Sequence, residues 1–411
     1  MQAISVHLGA FNWVGQLALF RRSQPDDILD FIASGIDCGL IAHSVICPEG
    51  GLQTRPVAMI HLERFERRVY THRATDLVRL ERFSQAIGDG QSSRCPSIYI
   101  KRDDCLGLLG GGNKTRKLEF VLAEALDRQA DTIITCGAVQ SNSCRATASA
   151  AKIEGLRCQL ALEQRVPGSY DPAASGNNFL YRLLGVDRQR VVAGGTDMDG
   201  VMSQMAADAQ RQGRRPYVVP LGAGTPLGAL GYVKGANEIM MQSRQMDVQF
   251  DAIIHASGGS GGTQSGLLVG FSVQKDRPQI IGICSGSDRT TQQRRVHRLV
   301  QGIFDLLAMP SRIGPSDVVC YDDYVGPGYS RPTAQMAEAV ELMAQTEGIL
   351  LDPVYSGKAM AGLIDLVRQG RFETGQNILF VHTGGVPAIY HYNDDVLAWL
   401  STQSAPYDES Q

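Results

Sequence analysis

The chain has 411 residues, 43% hydrophobic and 20% charged, a composition that fits a globular protein with room for one large or two ordinary domains. A formal net charge of −3 without a basic run excludes an electrostatic case for nucleic acid, and no apolar run approaches the roughly 18 residues of a membrane span. Nine scattered cysteines, odd in number and without a C-x-x-C pair, point to neither a disulfide framework nor a metal site, and a reducing cytoplasm is expected.

Residues 1–58 lack the pattern that follows, and a fresh start is expected at Met59-Ile60-His61-Leu62. The first residues carry no basic segment ahead of their apolar stretch, so a signal peptide is not expected. We read 1–58 as an extension or a misassigned start. From residue 95 onward, short apolar runs alternate with helical stretches. Strands are predicted at Ser97–Lys101, Thr132–Thr135, Cys158–Leu162, Tyr217–Pro220, Ala252–His255, Ile280–Cys284 and Ile378–His382. Strand–helix alternation predicts an α/β fold with largely parallel, twisted sheets, helices on both faces and ligands at the carboxyl ends of strands. A middle block, 119–226, is expected to form a smaller domain. Residues 59–118 with 227–400 would form a larger one, leaving 401–411 as a tail.

The first turn of interest is Gly110-Gly111-Gly112-Asn113-Lys114. It joins the run at 97–101 to a helix whose apolar residues Leu118, Val121, Leu122, Ala125 and Leu126 recur every three or four positions. Three glycines permit positive φ and close backbone approach to a ligand. A lysine there can bind phosphate, act as a base or form a Schiff base. G-x-x-x-x-G-K-[ST] fails because Asn113 intrudes between Gly112 and Lys114, so a phosphate-loop nucleotidase is not expected.

The second turn, Cys136 to Arg145, places Ser141 and Asn142 before the helical composition of Ala146–Ala151; capping and ligand contact are both open to them. The third, Ser257 to Gly266, follows a strand and opens the apolar stretch Leu267–Val273. Its backbone N–H groups form an anion site, to which Thr263 adds a hydroxyl. The alternative is a flexible surface turn. G-x-G-x-x-G does not fit, because Gln264 stands where the third glycine belongs. Further on, Tyr324–Tyr329 and Asp352–Lys358 set tyrosines among turn residues, and His382-Thr383-Gly384-Gly385 ends the last strand. A lysine, a separate phosphate cradle and polar strand ends together suit pyridoxal 5′-phosphate.

These motifs resemble the D-cysteine desulfhydrase and aminocyclopropane-carboxylate deaminase family of tryptophan-synthase-β-like, fold type II pyridoxal enzymes. The likeness runs from about residue 59 to 392 through Gly111–Phe120, Gln140–Asn142, Gly228–Tyr232, Gly262–Gln264, Tyr324–Tyr329, Leu350–Ser356 and His382–Gly385. It implies that Lys114 carries the cofactor as a Schiff base and handles the Cα proton. It further implies that Asn142 meets the ring oxygen and that Gly258, Gly259, Ser260, Gly261, Gly262 and Thr263 hold the phosphate. Ser141 would contact the substrate carboxylate or assist proton transfer, Tyr329 and Tyr355 would line the substrate side, and Thr383 would meet the pyridine nitrogen. The expected enzyme is a cytoplasmic homodimer acting on a small amino acid, with no metal, nucleic acid or membrane partner.

Three departures stand out. Ser356 replaces the glutamate usual in the cyclopropane deaminases, which argues against ring opening. The phosphate loop is one glycine longer than usual. Ser143-Cys144 follow Ser141-Asn142 where many relatives have His after the asparagine, which reshapes the pocket beside Ser141. Within the family, Lys101–Cys105, Gly195–Asp199 and Gly348–Ser356 are similar to L-cysteate sulfo-lyases. Tyr329-Ser330 and Gly357–Gly362 are equally similar to D-cysteine desulfhydrases.

Overall fold

The computed structural model describes residues 58–88 and 95–403; the predicted extension, apart from its last residue, and most of the predicted tail lie outside them. Its elements in chain order begin with β1 (Leu77–Arg79), α1 (Glu81–Ile87), β2 (Ser97–Lys101), α2 (Lys114–Asp127), β3 (Thr132–Ala138), α3 (Asn142–Ile153) and β4 (Arg157–Gln164). The chain continues through α4 (Asn177–Leu183), β5 (Arg188–Ala193), α5 (Met198–Arg211), β6 (Pro216–Val219), α6 (Pro226–Gln245), β7 (Ala252–Ser257) and α7 (Gly262–Phe271). It closes with β8 (Gln279–Cys284), α8 (Arg289–Leu307), β9 (Val319–Tyr321), α9 (Ala334–Glu347), α10 (Ser356–Arg368), β10 (Asn377–Val381) and α11 (Asn393–Gln403).

The strands form two sheets. A six-stranded sheet runs β1-β2-β10-β7-β8-β9, and a four-stranded sheet runs β5-β4-β3-β6. All pairs are parallel except β1 with β2. Strands buried on both faces carry near-continuous apolar runs, and β10, reading Asn-Ile-Leu-Phe-Val, shows why. Leu379 and Val381 pack toward α6, α7 and α8, whereas Ile378 and Phe380 pack toward α1, α9 and α10, the alternation of a pleated strand. In the smaller sheet Ile133 and Ile134 divide between two cores in the same way.

Every predicted strand is present, within a few residues at its ends. The pattern missed β1, β5 and β9. Two of these have three residues, and β5 is an edge strand of Arg-Gln-Arg-Val-Val-Ala with no buried residue. Their pairing comes from neighbours distant in sequence, which local periodicity does not report. α7 begins at Gly262, five residues earlier than its apolar stretch: packing overrides the poor helix propensity of glycine.

Buried charges fix α2 to the larger sheet. The Arg116 guanidinium donates to both oxygens of Asp103 (2.8 and 2.7 Å) and to both of Glu238 (2.9 and 3.0 Å). Lys101 donates to Glu238 as well, and the Tyr232 hydroxyl reaches Asp103 at 2.7 Å. This cluster lies two residues beyond Lys114 on the same helix, so it sets where that helix starts.

Candidate functional site

Strand ends from both sheets converge. β2, β10 and β7 are in register as Lys101↔Val381↔His255, so the turns that follow β7 and β10 open on one edge. At that edge the backbone of Gly384 (φ +84°) lies so close to Gly112 that a Cβ there would stand 2.4 Å from the Gly112 Cα. Gly110, Gly111 and Gly112 all have positive φ, as the turn before Lys114 requires, and Asn113 N–H donates to the Thr383 carbonyl at 3.0 Å.

The result is a cleft lined by Lys114, Ser141, Asn142, the whole of 258–263, Tyr329, Tyr355 and Thr383. Every sequence-predicted site residue is therefore brought to one place. Lys117, Ser143, Arg165 and His255 line it too. Lys117 had a sequence signal that went unused, since residues three apart on a helix share a face with Lys114. Arg165 and His255 carried only the weaker signal of standing at a strand end.

Lys114 is half-buried, at the wall of the cleft. Desolvation first, then the like charge of Arg145, lower its amine to about 8, against an opposing pull from Asp352. Its Nζ donates to Asn113 Oδ1 at 2.9 Å, while Asn113 Nδ2 donates to Thr263 Oγ1 at 2.9 Å. Asn113 thus spends its side chain on the site, although it occupies the helix N-cap. Lys117, buried, is held well below the ordinary lysine range by desolvation and by Lys114, and its Nζ reaches Ser260 Oγ at 3.3 Å.

Ser141 is the N-cap of α3, its Oγ accepting the Cys144 N–H at 3.1 Å, so capping and cleft lining coincide in one residue. Asn142 is oriented from behind. Arginine carries only donors, so Arg145 Nη1 marks Asn142 Oδ1 (2.9 Å) and Asn177 Oδ1 (3.0 Å) as acceptors. Asn177 Nδ2 also donates to Asn142 Oδ1 at 2.8 Å, which leaves the Asn142 amide nitrogen as its donor. The same guanidinium grips the carbonyls of Leu109 and Gly111 at 2.9 and 2.8 Å, tying α3 to the turn before Lys114. Arg145 is fully buried, and desolvation lowers it to about 10.

Across the cleft the hydroxyls of Tyr329 and Tyr355 are 2.6 Å apart, their rings edge to face. Desolvation raises both, Tyr355 to about 12, so both are neutral phenols near pH 7.

Several features fit pyridoxal phosphate. Lys114 offers an amine with a lowered proton affinity to an aldehyde. At the start of α7 the first backbone N–H groups have no intrahelical acceptor, and they face the cleft beside Lys117. A Cβ at Gly262 would stand 2.9 Å from Lys117 Nζ, so a side chain there would push the lysine head out of its present place. Two buried polar atoms of residues that line the cleft, Ser143 Oγ and His255 Nε2, have no partner among the described residues. Gly262→Ala is expected to weaken cofactor binding about tenfold, or ~1.4 kcal/mol, measured by fluorescence titration. An unchanged dissociation constant would remove the cradle role from this turn.

The profile of the family described as pyridoxal-phosphate dependent enzymes matches residues 70–384. D-cysteine desulfhydrase of Salmonella typhimurium is 42% identical over 337 residues, covering 82% of this chain and 99% of the relative; that of Salmonella typhi matches to the same extent. Among solved structures, an ACC deaminase homologue superimposes with a TM-score of 0.73 at 37% identity, covering 82% of this chain and 97% of its own. O-ureido-L-serine synthase, 18% identical with a TM-score of 0.55 over 80% of this chain and 96% of its own, shares the fold. With the cleft, the lysine and the glycine cradle in place, the chain belongs to the pyridoxal-phosphate dependent enzymes.

Proposed function

We propose that this enzyme removes the sulfur group of a cysteine-like amino acid by β-elimination. It would convert D-cysteine to pyruvate, ammonia and sulfide, or L-cysteate to pyruvate, ammonia and sulfite. The observation that carries the reading is one cleft holding Lys114 between an anion cradle and a pair of neutral tyrosines. The D-cysteine desulfhydrases similar to it at 42% identity support the substrate class.

The loop 258–263 with Lys117 would hold the phosphate, the Asn142 amide the ring oxygen and Thr383 the ring nitrogen. When bound, pyridoxal phosphate supplies an electron sink that weakens the Cα–H bond. Lys114 Nζ holds the cofactor and then receives the Cα proton. The N–H groups of Asn142 and Ser143 at the start of α3, with the Ser141 and Ser143 hydroxyls, would seat the substrate carboxylate. In the Tyr329–Tyr355 pair one phenol donates to the other, and the second O–H would donate a hydrogen bond to the departing group. The released 2-aminoacrylate takes up one water to give pyruvate and ammonium.

Ring opening of aminocyclopropane-carboxylate is the second reading, prompted by the ACC deaminase homologue. Against it, the buried Ser356 hydroxyl is bonded to the Asp352 carboxylate at 2.7 Å. A substrate panel separates the readings: D-cysteine, L-cysteine, L-cysteate, β-chloroalanine and aminocyclopropane-carboxylate, with pyruvate, 2-oxobutyrate, sulfide and sulfite assayed separately. Keto acid from the cyclopropane alone would overturn β-elimination, and no turnover of any of them would favour a non-catalytic binding relative. Tyr355→Phe is expected to lower kcat about 100-fold, the scale of removing one transition-state donor. A change confined to KM would assign Tyr355 to binding only.

The proposal includes a cytoplasmic homodimer, in which 119–226 forms the smaller domain. Phe179 and Leu183, four residues apart on α4, expose 54% and 66% of their surface, which supports a partner copy. Light scattering measures the mass.

A further inference from the structure

The cleft contains one cation that the reaction outlined above does not use. Arg165 follows the end of β4 and lines the same cleft as Lys114, Ser143, Tyr329 and Tyr355; it also lines two adjoining hollows. Its position is fixed from two sides. Arg165 Nε donates to Glu163 Oε2 at 2.7 Å, and Glu163 is itself held by the Gly195 N–H at 2.9 Å. The guanidinium carbon lies 4.6 Å from the centre of the Tyr329 ring, the residue whose hydroxyl pairs with Tyr355. Glu163 takes only the Nε edge. Among the described residues Nη1 and Nη2 make no hydrogen bond, so an oriented fork with at least two donors remains beside the tyrosine pair. Positive charge continues around it: burial first, then the like charges of Arg298 and Arg165, lower the guanidinium of Arg295 on α8.

The substrate's own carboxylate would have another seat, the start of α3, where Ser143 Oγ is buried without a partner among the described residues. A second anion subsite therefore faces the rest of the amino acid. A thiol offers such a fork a weak acceptor and no charge. A sulfonate offers three oxygens in the geometry an arginine fork matches.

We propose that Arg165 is a specificity-determining residue that reads the β-substituent, and that the cleft prefers amino acids whose β-leaving group is an oxyanion, a sulfonate above all, over those bearing a thiol. The inference rests on the β-elimination reading. For a sulfonate the step balances without oxidant or reductant. The Cα–H bond breaks and its proton passes to Lys114 Nζ. A Cα=Cβ bond forms as the Cβ–S bond breaks, and the electron pair of that bond leaves on sulfur as sulfite. Water then converts the enamine to pyruvate and ammonium. Because the leaving group passes from one negative charge to two, Arg165 holds it more tightly in the transition state than in the ground state, which raises kcat as well as affinity.

The test uses the holoenzyme with L- and D-cysteate, D-cysteine and β-chloroalanine, the last carrying a neutral β-substituent. The wild type is expected to show the higher kcat/KM for cysteate than for cysteine. Arg165→Gln is expected to lower the cysteate value about 100-fold, through both kcat and KM, and the β-chloroalanine value by a smaller factor and through kcat alone, because a neutral chloro group gives the guanidinium no charge to bind in the ground state. Arg165→Lys is expected to recover part of the cysteate loss. As a readout independent of turnover, inhibition by sulfate is expected to weaken about tenfold in Arg165→Gln. An equal fall on all substrates, or a wild-type preference for cysteine, overturns the assignment of Arg165. Absence of pyruvate from β-chloroalanine in the wild type overturns β-elimination itself, which keeps the two failures apart.

Discussion

Replacing Lys114 by alanine is expected to remove all borohydride-fixable cofactor and to lower keto-acid formation by about 10⁴-fold, the upper range for loss of a positioned base. The size of the effect follows from the site. Lys114 stands half-buried and largely desolvated, facing Asn113 and the cradle at 258–263. Lys117 cannot substitute, since its Nζ is turned to Ser260. The same burial makes a prediction about pH. With its affinity for protons lowered to about 8, Lys114 is mostly neutral above that pH and mostly cationic below it. Covalent uptake of added pyridoxal phosphate by cofactor-free protein should therefore rise with a midpoint near pH 8, rather than near the ~10.4 of a solvated lysine. The unfolded chain binds this proton more tightly than the folded one. The stability of cofactor-free protein should accordingly fall as pH drops from about 10.4 to 8 and level off below. Retention of a reducible link in the alanine variant, or uptake with a midpoint near 10, would take the role away from Lys114.

Arg116→Met should destabilise the fold by about 3–5 kcal/mol, the usual cost of removing one partner from a buried ion cluster. Asp103 and Glu238 would each lose two hydrogen bonds in a place water does not reach easily. Burial alone would push the Glu238 carboxyl up, but the Arg116 charge and hydrogen bonds, with those of Lys101, outweigh it and hold Glu238 at about 2. A carboxyl lowered on folding stabilises fully above its ordinary value and loses that contribution as pH falls toward its folded value. Between roughly pH 4.5 and 2, the parent protein should therefore lose stability that the variant, lacking the Arg116 interaction, has less of to lose. Urea unfolding midpoints at pH 7 and pH 3.5 measure both effects. Equal midpoints for the two proteins at pH 7 would show that the cluster contributes nothing net.

Much of the fold was legible because buried parallel strands carry continuous apolar runs, and each run read as a strand is one. The Ser141 cap and the positive-φ glycines before Lys114 were equally readable, since both are local devices whose chemistry lies within four residues. Among the described residues, three of the four edge strands were not readable; β6, which carries Tyr217-Val218-Val219, was. β5 has an arginine at its first and third positions and no buried face, so its conformation comes from pairing with β4. The ten-residue turn read between Ser257 and Gly266 shrank for the same kind of reason. Gly262 through Gly266 are helical because α6 and α8 pack around them, against the preference of glycine.

The sequence by itself determined the α/β class, the lysine, the glycine cradle and, through their order, the kinship with pyridoxal enzymes. These are properties of contiguous stretches. Tertiary structure alone decided which other charges line the cleft or brace it from behind. Arg145 reaches both the Lys114 turn and Asn142, Lys117 meets a loop some 140 residues away in the chain, and Arg165 stands over Tyr329. An isolated arginine or lysine in a sequence looks like a solvated surface group. Only when two sheets bring their carboxyl edges together are such groups stripped of water, and desolvation is what turns an ordinary charge into one that binds or discriminates.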